Sequence, residues 1–198
     1  MRVKSRTIQM AVIASACFLS GSLTQAQAGQ TRTVEFQKLP QYLKDEAGGK
    51  KVDKVEIFET EPGRHRYKFA AFYLKKKNHV DSRVVVFELL QNKDALPNLI
   101  WSTKWQPITR VNFVELKDST YKNRPVVLVV KTDSEGKAKG DLFGFEGAEM
   151  KSLKEFKGKS IKLVDGENAS KSEIMVTEAG KNSSYRWSQT DQTVKKVR

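Results

Sequence analysis

Cysteine is almost absent from this 198-residue chain, since the only one is Cys17, close to the N-terminus. Beyond it there is no disulfide framework, no cysteine nucleophile and no thiolate metal ligand, so burial has to stabilise the fold. Histidine is nearly as scarce, with two residues, and neither a Gly-x-Ser-x-Gly elbow nor a His-Glu-x-x-His motif occurs. These absences leave little for nucleophilic or zinc chemistry, and we expect a protein that is not an enzyme.

Long apolar runs are also missing, with one exception at residues 8–23. Arg2, Lys4 and Arg6 precede this run and Ala26-Gln27-Ala28 follows it. That order is typical of a secretory signal peptide cleaved after Ala28, and the run is shorter than the roughly 20 apolar residues of a membrane-spanning helix. We predict a signal peptide over residues 1–28 and a secreted or periplasmic protein. A lipoprotein attached through Cys17 is the minor alternative.

Positive charge is in excess, and it is distributed unevenly. The formal charge is +13, or +10 after residue 28, and residues 29–80 and 151–198 each carry a net +5 while residues 81–150 are neutral. A basic surface attracts anionic partners. The candidate anion-binding residues are those of the lysine clusters, although lysines also keep proteins soluble and protect sheet edges. They are Lys75, Lys76, Lys77, Lys154, Lys157 and Lys159.

Short β-branched runs dominate residues 29–198, which we predict to form a single β-rich domain. Residues 29–65 are interpreted as an N-terminal lead-in with a short helix near Leu39–Ala47. The runs 83–90 and 125–130 are continuously apolar, which predicts inner strands covered on both faces. Trp101 and Trp105 are four residues apart, so on one strand they would share a face.

A pattern of strands recurs at about 45 residues, the length of a four-stranded propeller blade. Phe113–Asp118 and Ser160–Asp165 each form a strand that ends in Asp, and each is followed by a polar loop and further strands. A looser third copy begins at Phe69–Lys75. The predicted fold is therefore all-β, a propeller-like stack of about three four-stranded antiparallel units. A β-sandwich or a barrel is the alternative.

The loop Asp165-Gly166-Glu167-Asn168-Ala169-Ser170-Lys171-Ser172-Glu173-Ile174 resembles the FG-GAP/VCBS-type repeat of extracellular β-propellers. The resemblance covers roughly residues 66–198. It implies a degenerate calcium loop in which Asp165, Glu167 and Glu173 match the first, third and ninth positions, while Ala169 and Ser170 replace the family's Asp and Gly. The copy at Asp118 keeps only that residue, and the first copy has Lys75 and Lys77 at ligand positions. No other cofactor is predicted.

Three functions fit these patterns. The first is an exported, non-enzymatic binding domain that presents a basic surface to an anionic polymer or a protein partner of the cell envelope, without specific nucleic-acid binding. The second is a structural or accessory subunit of an envelope assembly that uses its sheet edges. The third is an enzyme with a carboxylate site, which would need Glu115, Asp118, Asp165 and Glu173 to converge in one cleft.

The signal-peptide interpretation predicts a mature chain that begins at Gly29. The mass of the protein recovered from the periplasm or the medium, together with N-terminal sequencing, checks this. Protein found inside the cell with its leader intact would contradict it, and a first residue at a lipid-modified Cys17 would favour the lipoprotein.

Overall fold

The computed structural model describes residues 30–60, 66–90, 95–146, 149–165 and 172–198, and the predicted signal peptide lies outside these ranges. The fold is all-β, as predicted, and the described strands form three antiparallel sheets that do not close into a barrel. Sheet 1 contains β1 (Arg32–Val34), β2 (Lys54–Thr60), β3 (Arg66–Lys75), β4 (Val80–Leu89) and β5 (Asn98–Ser102). Sheet 2 contains β6 (Arg110–Tyr121), β7 (Arg124–Thr132), β8 (Ala138–Glu146) and β9 (Glu149–Gly158). Sheet 3 contains β10 (Ser160–Asp165), β11 (Ser172–Glu178), β12 (Lys181–Ser188) and β13 (Thr193–Lys196).

Sheet 2 is the middle layer, and apolar side chains cover both of its faces. Successive residues of a strand point to opposite faces, so Val127 and Val129 of β7 pack against sheet 1, while Leu128 and Val130 pack against sheet 3. All four are buried. The continuous apolar run of β7 is thus an inner strand, as predicted, and β4 is covered on both faces in the same way.

The outer faces of the stack are covered differently. A single-turn 3-10 helix (Phe36–Lys38) and helix α1 (Gln41–Glu46) lie over sheet 1, where Leu43 packs with Phe72 and Phe87. The outer face of sheet 3 carries polar side chains instead, because Glu173, Arg186 and Lys195 lie directly opposite one another on three neighbouring strands. A polar outer face is what a terminal unit of a stacked repeat requires.

The first repeat unit begins one strand earlier than the sequence pattern suggests. β2 pairs with β3 along its whole length, from Lys54–Tyr73 to Thr60–Tyr67, so it is the first strand of sheet 1 and not part of a lead-in. β3 resembles a first strand in sequence because it is strongly apolar, but it is an inner strand like β7. Lys75 and Lys77 lie at the β3–β4 hairpin, at the end of the stack opposite the last residue of β10 and the first residue of β11.

Trp101 and Trp105 do not share a face, contrary to the prediction. β5 ends at Ser102, so the alternation of a strand does not extend to residue 105. Trp101 packs on Phe143 between sheets 1 and 2, with ring centroids 5.2 Å apart. Trp105 packs on the opposite side of sheet 1, where the ammonium of Lys50 lies 5.9 Å from its ring.

Replacing Gly144 with alanine should destabilise the protein by about 1 to 3 kcal/mol, because the new Cβ would overlap its neighbours. That atom would lie 2.7 Å from Cδ1 of Tyr121 and 2.9 Å from Cδ1 of Leu153. Gly140→Ala on the same face of β8 is the control, since its Cβ would meet the terminal methyl of Ile161 at 3.1 Å and that methyl can move. Urea unfolding measures both, and equal losses would contradict this packing.

Candidate anion-binding groove

One end of the stack, here called the lysine end, gathers chain segments from all three sheets. The Tyr73 hydroxyl accepts a hydrogen bond from the Val111 N–H (3.0 Å), which links sheet 1 to the start of β6. The Lys159 N–H, in the connection between β9 of sheet 2 and β10 of sheet 3, donates to the Thr177 carbonyl of β11 (2.7 Å), which holds the end of sheet 2 beside sheet 3. The lysine end comprises the β3–β4 hairpin (75–80), the start of β6, the β7–β8 hairpin (132–138), the β9–β10 connection (158–160) and the β11–β12 hairpin (178–181).

A row of three lysines crosses sheet 2 at this end. Lys131 of β7 lies opposite Lys139 of β8, and Lys139 lies opposite Lys157 of β9. Residues paired in this way point to the same face, with Cβ atoms about 5 Å apart, and like charges so placed destabilise a sheet. The row needs carboxylates beside it, an external anion, or both.

Two carboxylates in the next row neutralise part of this charge. Asp141 and Glu155 lie opposite each other, and Asp141 is buried. The Lys131 ammonium is 2.6 Å from Asp141 Oδ2, and the Lys139 ammonium is 3.7 Å from Asp141 Oδ1 and 3.4 Å from Glu155 Oε2. Lys157 has no carboxylate partner among the described residues. The row therefore keeps one uncompensated positive charge at its outer strand.

The β7–β8 hairpin beside the row is held by its own side chains. Asp133 Oδ1 accepts hydrogen bonds from the N–H groups of Glu135 and Lys137, both at 2.9 Å. The Lys137 ammonium donates to Glu135 at 2.6 Å, and this hydrogen bond raises the pKa of Lys137. These two hairpin amides are thus already used, so recognition of an anion here depends on the lysine ammonium groups.

The hairpin and the β9–β10 connection enclose a groove of about 710 Å³, within the size range of small-molecule sites. Its apolar and small lining residues include Ile108, Ala138 and Gly158. Its charged lining residues are Lys131, Lys137, Lys139, Lys157, Lys159, Asp133, Glu135 and Glu178. A smaller groove of about 210 Å³ lies alongside, lined in part by Lys154, Lys157 and Tyr185.

The structure brings most of the predicted anion-binding residues to this end. Lys157 and Lys159 line the main groove, and Lys154 lines the smaller one. Lys75, Lys76 and Lys77 lie at and just after the end of β3, where Lys76 is 3.5 Å from Asp81. Within the described ranges, Lys75, Lys77 and Lys159 have no carboxylate partner.

Lys131 and Lys139 were missed because Lys131 ends an apolar run and Lys139 belongs only to the short pair Lys137-Ala138-Lys139, which lies in the segment with no net charge. Lys131 and Asp141 are on neighbouring strands, ten residues apart in sequence. Their ion pair can be inferred only once the pairing of β7 with β8 is known.

Of the predicted calcium ligands, Glu173 lies near the start of β11, at the end of the stack opposite the lysine end. Glu167 and the side chain of Asp165 are outside the described residues. Glu173 is buried, and its carboxylate pairs with the Arg186 guanidinium of β12. In the part of the chain that the structure describes, no three His, Cys, Asp or Glu residues are grouped to hold a metal ion. Calcium binding stays a prediction from the resemblance.

The described members of the predicted carboxylate site are not brought together. Glu115 accepts a hydrogen bond from the Thr60 hydroxyl between sheets 1 and 2. Glu173 lies on the outer face of sheet 3, so sheets 2 and 3 separate the two carboxylates. The side chain of Asp118, like that of Asp165, is outside the description.

A buried polar cluster near Glu115 has a structural explanation. The Tyr67 ring stacks on Phe145 with centroids 3.9 Å apart, and its hydroxyl accepts a hydrogen bond from Arg124 at 2.8 Å. Burial raises the pKa of Tyr67 to about 12, with Arg124 opposing the shift and Glu88 adding to it. The phenol is therefore neutral near neutral pH, and it ties sheet 1 to β7.

Comparison of the chain with protein-family models, with curated proteins and with solved structures finds no match. The FG-GAP/VCBS resemblance therefore remains a prediction from the sequence. Among the described residues, the helices are too short and too polar to span a bilayer.

Lys131→Met should lower the free energy of unfolding by about 3 kcal/mol, because it removes the closest partner of a buried carboxylate. Lys137→Met is the matched control, since its ion pair with Glu135 is exposed to solvent and its loss should leave stability unchanged. Chemical denaturation of both variants measures the difference. Equal stabilities would show that Asp141 does not depend on Lys131.

Proposed function

We propose that the protein is an exported, non-enzymatic binding domain that holds an anionic polymer of the envelope or extracellular space on its lysine end. The observation that carries the proposal is the meeting of two basic parts of the chain. Lys75 and Lys77 belong to the first net-positive segment, and Lys157 and Lys159 belong to the second. All four lie at one end and have no carboxylate partner among the described residues.

Three lysines described at the opposite end each have a carboxylate within ion-pair distance, unlike Lys75, Lys77, Lys157 and Lys159. Lys122 and Lys151 pair with Glu146, and Lys195 lies 2.5 Å from Asp191. An anionic chain is therefore attracted mainly to the lysine end, where field lines from uncompensated ammonium groups add together.

Lysine chemistry favours a polymer with many similar anionic groups. An ammonium group is a strongly hydrated point charge with freely rotating donors, so it accepts carboxylate, sulfate and phosphate in many orientations. Each lysine near an anionic surface contributes about 1 kcal/mol, and salt screens the attraction. Several such contacts along one chain give useful affinity without a rigid site.

The alternative function, a structural subunit that docks through a sheet edge, is favoured by one exposed apolar region. Leu96 is 84% exposed, and Leu99 on the edge strand β5 is 40% exposed. An interface built on these side chains would not weaken as the salt concentration rises. Salt dependence therefore separates the two functions.

The triple variant Lys77→Gln, Lys157→Gln, Lys159→Gln should bind fluorescent polyglutamate about 10- to 100-fold more weakly than the unaltered protein. The matched control is Lys122→Gln, Lys151→Gln, Lys195→Gln, which changes the net charge equally at the other end and should bind almost normally. Fluorescence anisotropy measures both affinities at about 50 mM and about 300 mM salt.

Equal weakening in both triple variants would contradict the proposal, because net charge alone would then explain binding. Binding that is independent of salt would favour the sheet-edge alternative.

A further inference from the structure

The main groove combines charge with an apolar floor, and the proposed attraction of a polymer uses only the charge. Ala138 is buried in the wall, and Ile108 is partly buried while packing against the core between sheets 1 and 2. Lysine stems are also apolar, and a lysine beside an apolar surface keeps its methylenes on that surface and its ammonium in water. The groove thus combines apolar side-chain surface with five lysine ammonium groups, which outnumber the three carboxylates of Asp133, Glu135 and Glu178 that also line it.

The groove is also open to a ligand at its mouth. Gly136 at the hairpin has a positive φ of 77°, and a Cβ built on it would meet no atom within 4 Å. The facing connection holds Lys157 and Lys159 on either side of Gly158. A chain that enters between hairpin and connection therefore reaches the apolar floor and leaves its end beside two uncompensated ammonium groups.

From this arrangement we infer that the groove binds a small amphiphilic anion, an alkyl chain that ends in one compact anionic group. Charge complementarity selects the head group, since Lys157 and Lys159 have no carboxylate partner within the described ranges. The volume of about 710 Å³ accommodates a short alkyl chain. The inference rests on the proposed function, because both use the same lysines, and it adds an apolar requirement.

Glu155 modulates this site. Its carboxylate holds Lys139 at 3.4 Å, and more than half of the Glu155 side chain is exposed. Glu155→Gln removes the nearer of the two carboxylates that contact Lys139, leaving Asp141 at 3.7 Å, and it removes a negative charge near the groove. This variant should therefore bind the anion more tightly than the unaltered protein. Removal of an acid from a neutral surface region elsewhere would give no such gain.

Titration calorimetry of the full mature chain with octanoate, acetate and 1-octanol tests the inference. Octanoate should bind at least about 30-fold more tightly than acetate, because its additional methylenes are buried, and about tenfold more tightly than octanol. Ile108→Ser should weaken octanoate binding about tenfold and leave polyglutamate binding unchanged. Leu96→Ser, which alters an exposed leucine at the other end, is the matched control and should change neither.

A second variant keeps the test valid if Ile108→Ser fails to fold. Lys157→Gln with Lys159→Gln should weaken octanoate binding about tenfold and leave octanol binding unchanged. Equal affinity for octanoate and acetate, or octanoate binding that neither variant weakens, would overturn the inference. Continued salt-dependent binding of polyglutamate in that case would leave the proposed function standing. Octanoate binding without polyglutamate binding would overturn the proposed function alone.

Discussion

The two apolar faces of sheet 2 are the constraint on which the rest of the molecule depends. The residues of β7 from Val126 to Val130 are all buried, so this sheet needs a partner on each side. Sheet 1 and sheet 3 supply these partners, and each then has a second face to cover. α1 covers the outer face of sheet 1. On the outer face of sheet 3, the row of Glu173, Arg186 and Lys195 presents polar side chains to water. Stacking brings the described hairpins β3–β4, β7–β8 and β11–β12, one from each sheet, to the lysine end.

At the lysine end, stability and binding are assigned to different members of the same row. Lys131 is buried against Asp141, so it belongs to the folded core of the sheet. Lys157 occupies the equivalent place on the next strand but one and has no such partner in the described part of the chain. Like charges on directly opposite residues destabilise a sheet. Such unfavourable arrangements are expected mainly at functional sites, where binding of a ligand offsets them. Charge alone attracts many kinds of anion. The apolar side chains beside the row favour anions that also carry an alkyl chain.

Much of the architecture could be predicted, because β4 and β7 contain continuous apolar runs, which indicate strands that are buried on both faces. The repeat of about 45 residues likewise indicated three units. The start of the first unit was missed because the inner strand β3 is as apolar as a first strand, whereas β2 alternates with glutamates. Two of the groove lysines, Lys157 and Lys159, could be predicted because they belong to a lysine cluster in the sequence. Lys131 and Lys139 could not, because their proximity to Lys157 is created by strand register, which no local pattern encodes.

Lysine footprinting tests the central claim most directly. The intact protein is acetylated with and without polyglutamate at low salt, and the modification of each lysine is measured by mass spectrometry. The account predicts strong protection of Lys75, Lys77, Lys157 and Lys159, lost at high salt, with Lys122 and Lys151 unchanged. Uniform protection of all lysines, or protection confined to the opposite end, would contradict it.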